Sequence, residues 1–384
     1  MRNKKIYYNK QFIDKDDRLS VSKVLSQNLI TTGPSVVKFE NMIKKYVNSK
    51  FSHSCSSGTS AIHLAMISLG IQKGDIILMP AVNFIASYNM ARSLNAKIFL
   101  VDVDEKTGQI TPELVLKCIS KNKLKKIKVL VTMYHGGYPE NVEAFYRLKK
   151  VFKFLILEDA CHAFGASYLH KGKYYKIGSC KHADVCTFSF HPVKSITTGE
   201  GGMVTTNQLK ISKKIRLYRN HGIERSNKYY WKYNIKNIGY NYRLSDLNCS
   251  LGTSQLKKIN FLINSRKKIY NLYVKKLSDI NPNLYVHQFQ KKIKSSFHLF
   301  LININFKNIN KTKDHFIKFL NAEGIYPQFH YIPIYKFQVY KQKKIYFSGA
   351  ENYFKNTVSL PIFVDLNKSS QNKIIKSIKK YFDK

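Results

Sequence analysis

The sequence predicts an α/β fold built on a largely parallel sheet, followed by a second, smaller αβ unit. From about residue 50 to 207, short apolar runs alternate with amphipathic stretches, the pattern of successive βα units. Beyond about residue 275 the texture changes to shorter β-rich and αβ pieces. At 384 residues and 44% hydrophobic, the chain is also long enough to need two cores, because single cores stop growing at roughly 250–300 residues.

In chain order, D-I-I-L-M (75–79), K-I-F-L-V-D-V (97–103), K-V-L-V-T-M (128–133), F-L-I-L-E-D (154–159), V-C-T-F-S-F (185–190) and M-V-T-T (203–206) read as strands. Between them lie helices with recognisable ends. Gly70 closes the helix A-I-H-L-A-M-I-S-L, and Thr111-Pro112-Glu113 opens another with an N-cap and a proline at the first helical position. A helix over 244–259 then leads into I-N-S-R-K-K-I-Y-N-L-Y, a long connecting helix. The expected division is a large domain over 1–260 and a small one over 261–384. No internal repeat or low-complexity linker interrupts this order.

The net charge of +42 invites a nucleic-acid reading, but the lysines are scattered over the whole length and not gathered into one stripe. A pervasive Lys/Asn/Ile bias fits base composition better than a binding footprint, so no nucleic-acid partner is expected. A basic surface would still steer an anionic substrate inward. Cys55, Cys118, Cys161, Cys180, Cys186 and Cys249 form no CxxC pair, which suits a reducing cytoplasm. No signal-like segment opens the chain and no apolar run approaches the ~18 residues of a membrane span. The expectation is a soluble, cytoplasmic protein without a membrane partner.

Ligands of parallel αβ sheets bind at the carboxyl ends of strands, so the residues after each strand carry the functional question. S-S-G-T-S-A (56–61) stands just ahead of a helix, where free backbone N–H groups and the hydroxyls of Thr59 and Ser60 would hold a phosphate. The same residues would equally serve as a plain N-cap. L-I-L-E-D-A-C-H-A-F-G-A (155–166) ends an apolar strand in two acids. Asp159 there could pair with a protonated ring nitrogen of a cofactor, with His162 on the same face if a helix begins at that point. The alternatives are an Asp that caps that helix and a structural His; a metal pair would lack a third ligand at diagnostic spacing.

The third place is F-S-F-H-P-V-K-S-I-T-T-G-E-G-G (188–202). Its glycines allow close backbone approach or positive φ. Partial burial and a nearby cation would leave Lys194 a neutral amine able to form a Schiff base, whereas an arbitrary lysine of this chain is a solvated surface charge. A phosphate cradle, a strand-end Asp and a strand-end Lys, in that order, are what a pyridoxal phosphate enzyme of the aspartate-aminotransferase fold needs.

Over nearly its whole length the chain resembles the DegT/DnrJ/EryC1/StrS sugar aminotransferases. The resemblance rests on L-I-T-T-G-P (29–34), S-S-G-T-S-A-I-H-L-A (56–65), P-A-V-N-F-I-A-S (80–87), D-V-D (102–104), E-D-A-C-H-A-F-G-A (158–166), S-F-H-P-V-K-S-I-T-T-G-E-G-G-M (189–203), H-G-I (221–223) and G-Y-N-Y-R-L-S-D (239–246). It implies a type I fold of pyridoxal-phosphate-dependent transferases, with a mostly parallel seven-stranded sheet and a smaller C-terminal αβ domain. It also implies pyridoxal 5'-phosphate as cofactor. Lys194 would hold it covalently, Asp159 would contact the pyridine nitrogen, and His162 would lie near the ring hydroxyl, where many relatives have Gln. Phe84 would stack on the ring, which unaided reads as a core aromatic. Gly58, Thr59, Ser60 and Ser189 would serve the phosphate, and Asn241 would reach the phosphate of a neighbouring subunit in a homodimer with shared active sites. Tyr8, the segment Asn28, Leu29, Ile30 and Thr31, and the segment His330, Tyr331, Ile332 and Pro333 would line the sugar-nucleotide site; packing roles compete for these last groups.

S-F-H-P-V-K, S-Q-L-K-K-I (254–259) and H-Y-I-P-I-Y (330–335) are most similar to the branch acting in pseudaminic-acid synthesis. That branch implies transfer from L-glutamate to the C4 keto group of a UDP-linked 4-keto-6-deoxy-2-acetamido sugar. Sister enzymes use dTDP- or GDP-linked sugars, and others act as dehydratases after replacing the lysine with histidine. Lys194 is present here, which favours transamination over that alternative and over a catalytically inert regulator.

Overall fold

The computed structural model describes residues 5–229, 231–288, 290–340 and 345–383. Its centre is a seven-stranded sheet of Phe51–Cys55 (β1), Ile76–Pro80 (β2), Lys97–Val101 (β3), Ile127–Met133 (β4), Leu155–Asp159 (β5), Val185–Ser189 (β6) and Gly202–Thr206 (β7). In space the order is β1-β7-β6-β5-β4-β2-β3. All neighbours are parallel except β7, which runs antiparallel to β1 and β6. Central strands of such a sheet are covered on both faces and therefore read as continuous apolar runs: Val129, Leu130 and Val131 on β4 are all fully buried.

The strand that apolar patterning leaves out is β1, whose sequence is F-S-H-S-C. It is buried nonetheless, because its polar groups are paired. Ser54 donates through both its amide and its hydroxyl to Glu40 Oε1 at 2.9 Å, His53 Nε2 meets Ser212 Oγ at 2.8 Å, and Arg219 pairs with the same Glu40. Satisfied in this way, a polar segment can occupy a sheet position that its hydropathy would not select.

The helices begin and end where their caps direct. Thr111 Oγ1 accepts the Leu114 amide to open Pro112–Lys121, and Gly70, at φ 75°, follows the helix Gly58–Ser68. The helix Asp246–Lys257 passes almost directly into Ile259–Leu277. The latter packs, with Lys313–Ala322 and Lys368–Phe382, around a three-stranded antiparallel sheet of Leu284–Val286, Phe300–Ile304 and Thr357–Leu360. Tyr273, Phe300, Phe316 and Ile378 lie at the centre of this second apolar cluster. The N-terminal strand Ile6–Tyr7 joins it by pairing in parallel with Ile325–Tyr326. Among the described residues no helix is long and apolar enough to cross a membrane.

Two buried carboxylates tie the large sheet and its helices together. Gly33 opens the helix Pro34–Val47 with no side-chain cap of its own, and Asp246 supplies one by accepting the amides of Gly33 at 2.7 Å and Ser35 at 2.8 Å. Asp246 also occupies the first turn of its own helix, so one carboxylate serves two positive helix ends. On β5, Glu158 is buried and accepts the Tyr134 hydroxyl at 2.7 Å. Burial, partly offset by that hydrogen bond, pushes its carboxyl up to about 7.

Replacing Asp246 with Ala should lower stability in urea denaturation by about 2 kcal/mol, since it leaves the buried Gly33 amide and the partly buried Ser35 amide unpaired; an unchanged midpoint would remove Asp246 from this role. For Glu158 the native state holds a proton that the unfolded chain has already released. Stability should therefore fall as pH rises from about 4.5 to 7 by up to on the order of 3 kcal/mol, then level off. The Glu158→Gln variant should lack this slope in melts taken across the same range.

Candidate active site

Because six of the seven strands share one direction, the segments leaving β1, β2, β4, β5 and β6 emerge at the same edge of the sheet. There they surround a cavity of about 490 Å³. Tyr8, Gly58, Thr59, Phe84, Asp159, His162, Ser189, Lys194, His330 and Tyr331 all line it. These ten were singled out in the sequence from segments up to 323 positions apart, Tyr8 to Tyr331.

At the β1 end, Ser57 caps the helix Gly58–Ser68 in a reciprocal capping box with Ser60. The Ser60 hydroxyl donates to Ser57 O and accepts the Ser57 amide, both at 2.8 Å, and lies outside the cavity lining. Ser60 therefore builds the helix end, while Thr59, exposed in the first turn, lines the cavity. Ser189, at the end of β6, packs onto this helix end so closely that a Cβ at Gly58 would stand 2.8 Å from the Ser189 Cβ. Glycine is the residue that permits the contact. Gly202, which opens β7, is similarly constrained: a Cβ there would lie 2.2 Å from Ser57 O. Of the glycines after Lys194, Gly202 thus admits the β1 turn.

Asp159 ends β5 and is buried. Its Oδ2 accepts Ser87 Oγ at 2.9 Å and Asn83 Nδ2 at 3.4 Å, and its Oδ1 accepts the Cys161 amide at 3.4 Å. No helix begins after it. Successive turns, closed by Ala163 N to Ala160 O at 2.8 Å and Ala166 N to Ala163 O at 3.0 Å, carry the chain away, so Asp159 is not a helix cap. His162 reaches the cavity from these turns and not along a helix face. Its Nδ1 accepts the Gly136 amide at 3.4 Å, so Nε2 carries the ring proton and donates to the Tyr331 hydroxyl at 2.8 Å. Burial, reinforced by the nearby Lys194 charge, holds His162 well below the usual imidazole range.

Lys194 sits in a turn closed by its own amide donating to His191 O at 2.9 Å. Burial lowers the proton affinity of its amine, the Arg266 charge adds to this, and Cys161 and Asp159 act the other way. Three further imidazoles surround it. Burial pushes His135 down to about 3 and holds His298 and His330 well below the ordinary value. His135 Nε2 meets the Tyr353 hydroxyl at 2.8 Å, and His330 Nδ1 meets Ser359 Oγ at 2.8 Å. Despite this clustering, no group of three or more His, Cys, Asp or Glu among the described residues is arranged to hold a metal.

Several predicted residues stand elsewhere. Asn28, Leu29, Ile30 and Thr31 are exposed and do not line the cavity; the segment lies on the Ser245–Asp246 turn, with Ile30 O accepting the Asp246 amide at 3.0 Å. Asn241 is exposed and also outside the cavity of its own chain. Ile332 and Pro333 follow the lining residues but turn away, and Ile334 donates to Ala81 O at 2.8 Å. Phe84 faces the cavity with 54% of its surface exposed, 5.7 Å from the Tyr331 ring, and so is no core aromatic. The sequence reading did not assign Asn83 or Ser87. Both lie within P-A-V-N-F-I-A-S, and their i, i+4 spacing around Phe84 was the available signal.

Residues 11–379 match the DegT/DnrJ/EryC1/StrS aminotransferase family. The chain is 36% identical over 366 residues, 94% of its length and 93% of the relative's, to the UDP-4-amino-4,6-dideoxy-N-acetyl-beta-L-altrosamine transaminase of Campylobacter jejuni subsp. jejuni serotype O:23/36. Among solved structures it superposes on Helicobacter pylori PseC, an aminotransferase involved in the biosynthesis of pseudoaminic acid, with a TM-score of 0.91 and 30% identity, covering 99% of this chain and 100% of that one. It shares its fold with the PLP-form of the putative sugar aminotransferase Spr1654 from Streptococcus pneumoniae, at a TM-score of 0.88 and 24% identity over 99% of both chains. The seven-stranded, mostly parallel sheet is the aminotransferase fold, and the chain belongs to the DegT/DnrJ/EryC1/StrS aminotransferase family.

Proposed function

We propose that this aminotransferase uses pyridoxal 5'-phosphate to move an amino group from L-glutamate to the C4 keto group of a nucleotide-linked 4-keto-6-deoxy sugar, of the UDP-2-acetamido-2,6-dideoxy type. The observation that carries this reading is the pairing of Lys194, an amine whose proton affinity burial lowers, with Asp159, a buried carboxylate fixed by Ser87 and Asn83 in the same cavity. The residues suit the cofactor at each of its ends. The Gly58 helix end with Thr59 and Ser189 offers anion donors, Asp159 offers an acceptor for a pyridinium proton, and Phe84 offers an exposed aromatic face. Pyridoxal phosphate, when bound, supplies an aldehyde that condenses with amines and a ring that accepts the electron pair released at carbon.

The chain's own groups do the remainder. Lys194 Nζ takes the proton from the Cα of the amino donor and later returns one to the sugar carbon that receives the amine. Asp159 holds the ring-nitrogen proton in place. Neutral His162 fixes the Tyr331 hydroxyl, which lines the same wall. Glutamate leaves as 2-oxoglutarate before the keto sugar enters, so the kinetics are ping-pong. The choice of a UDP-linked acetamido sugar follows the printed activity of the Campylobacter relative and the H-P-V form around Lys194. Tyr8, His330 and Tyr331 would face the sugar. A homodimer with shared sites is part of the same reading. Asn241 lies outside its own cavity, and Tyr233 and Ile235 in the hairpin Ile223–Arg225/Tyr233–Ile235, with Ile238 just after it, are exposed apolar residues that a second copy would cover.

Purified protein should be yellow, and borohydride should fix the cofactor to Lys194 in the wild type but not in Lys194→Ala; a protein that ignores added pyridoxal phosphate ends the reading. Asp159→Asn should keep its fold and lose turnover by on the order of 100-fold or more. Nitrogen-labelled glutamate offered with UDP-, dTDP- and GDP-linked keto sugars should label the UDP-linked acetamido product, and loss of water without label incorporation would point to a dehydratase instead.

A further inference from the structure

Arg266, on the helix Ile259–Leu277, is 3% exposed, and every group it donates to is neutral. Nη1 donates to Ile362 O at 3.0 Å and His298 O at 3.5 Å. Nη2 donates to Asn9 Oδ1 at 3.4 Å and Val193 O at 3.5 Å, and Nε has no hydrogen-bond partner. A buried guanidinium without a counter-ion costs several kcal/mol, so simple packing does not account for it. The Val193 carbonyl that it meets immediately precedes Lys194. Asn9, brought there by the N-terminal segment, donates Nδ2 to the same oxygen at 3.1 Å.

We propose that Arg266 is a positioning residue for Lys194: together with Asn9 it clamps the Val193 carbonyl, and its uncompensated charge stands behind the lysine so that the amine meets an incoming aldehyde unprotonated and already aimed. The inference rests on Lys194 being the amine that captures the cofactor. Facing Lys194, Cys161 and Asp159 favour its protonated form, and the exposed Glu200 lines the same cavity. The imidazoles of His135, His162, His298 and His330 are kept neutral by burial, and burial likewise keeps the phenols of Tyr8 and Tyr331 protonated. Arg266 is therefore the cation that opposes protonation of the lysine, and it depresses His298 in the same way. Burial lowers its own proton affinity only to about 10, so it stays charged at neutral pH.

The test is the pH dependence of the rate at which the full chain, freed of cofactor, captures added pyridoxal phosphate, followed by absorbance and read without turnover. In Arg266→Met the midpoint of this profile should move to higher pH, with about a tenfold fall in capture rate near neutrality for each unit of movement. Arg266→Lys, which keeps the charge, should stay near the wild-type midpoint. Asn9→Asp should move the midpoint upward too, because it places a counter-ion against Nη2 while Arg266 remains in its packing. A folded Arg266→Met with the wild-type midpoint, or Arg266→Lys displaced as far as Arg266→Met, overturns the proposal. If Arg266→Met does not fold, an unmoved Asn9→Asp profile overturns it alone. Failure of the wild type to capture the cofactor would instead overturn the functional reading, which separates the two.

Discussion

The structure depends on one constraint of direction: six strands of the central sheet point the same way, so their carboxyl ends open onto one edge. A parallel sheet must be covered on both faces, which leaves its edge of strand ends as the place where polar side chains can gather without breaking the core. β7 completes the arrangement by running the other way between β1 and β6. Its first residue, Gly202, begins where its neighbours end, and the absence of a Cβ lets the Ser57 carbonyl pack against it. The capped helix end at Gly58 and the Ser189 strand end are thereby pressed together across a third strand.

The polar groups at this edge work as a layered system. Ser87 and Asn83 aim Asp159, Gly136 sets the tautomer of His162, and His162 in turn holds Tyr331. Burial makes the surrounding imidazoles neutral, so the local charge balance reduces to Lys194 and Arg266 against Asp159. Low dielectric amplifies each of these charges, and for that reason a cation several side chains removed from solvent matters to an amine beside the cavity. The same site draws on both halves of the chain. Arg266 leaves the connecting helix, His298 and His330 come from the region of the small sheet, and Tyr8 and Asn9 arrive through a two-residue strand paired with Ile325–Tyr326.

The strongly basic composition sits outside this logic. Many lysine ammonium groups rest near aromatic faces, as Lys176 does over Tyr46 and Lys294 over Tyr174. Such contacts dispose of charge at the surface without forming a single stripe, and each is worth about 0.5–1 kcal/mol at an exposed site. The net charge of +42 still favours the approach of an anionic substrate, in line with the nucleotide-linked sugar proposed.

Apolar strands, helix caps and the three strand-end segments were legible from the sequence because each is a local pattern: burial on both faces gives β4 its continuous apolar run, and Thr111-Pro112 states a helix start in two residues. Asp159 and Lys194 were legible for the same reason, as residues at the end of such a strand and in the turn that follows one. β1 was not, since its polar side chains are admitted only by Glu40 and Ser212, which lie elsewhere in the chain. Nor was the division of labour between Ser60, consumed by the helix cap, and Thr59, left free beside it. Ser87 on Asp159, Asn9 on Val193 and Arg266 on Val193 join residues 72, 184 and 73 positions apart. The sequence by itself determined which residues stand at the ends of strands; only tertiary structure decided which distant donors and charges face them, because hydrogen bonding and electrostatics act through space and leave no period in the chain.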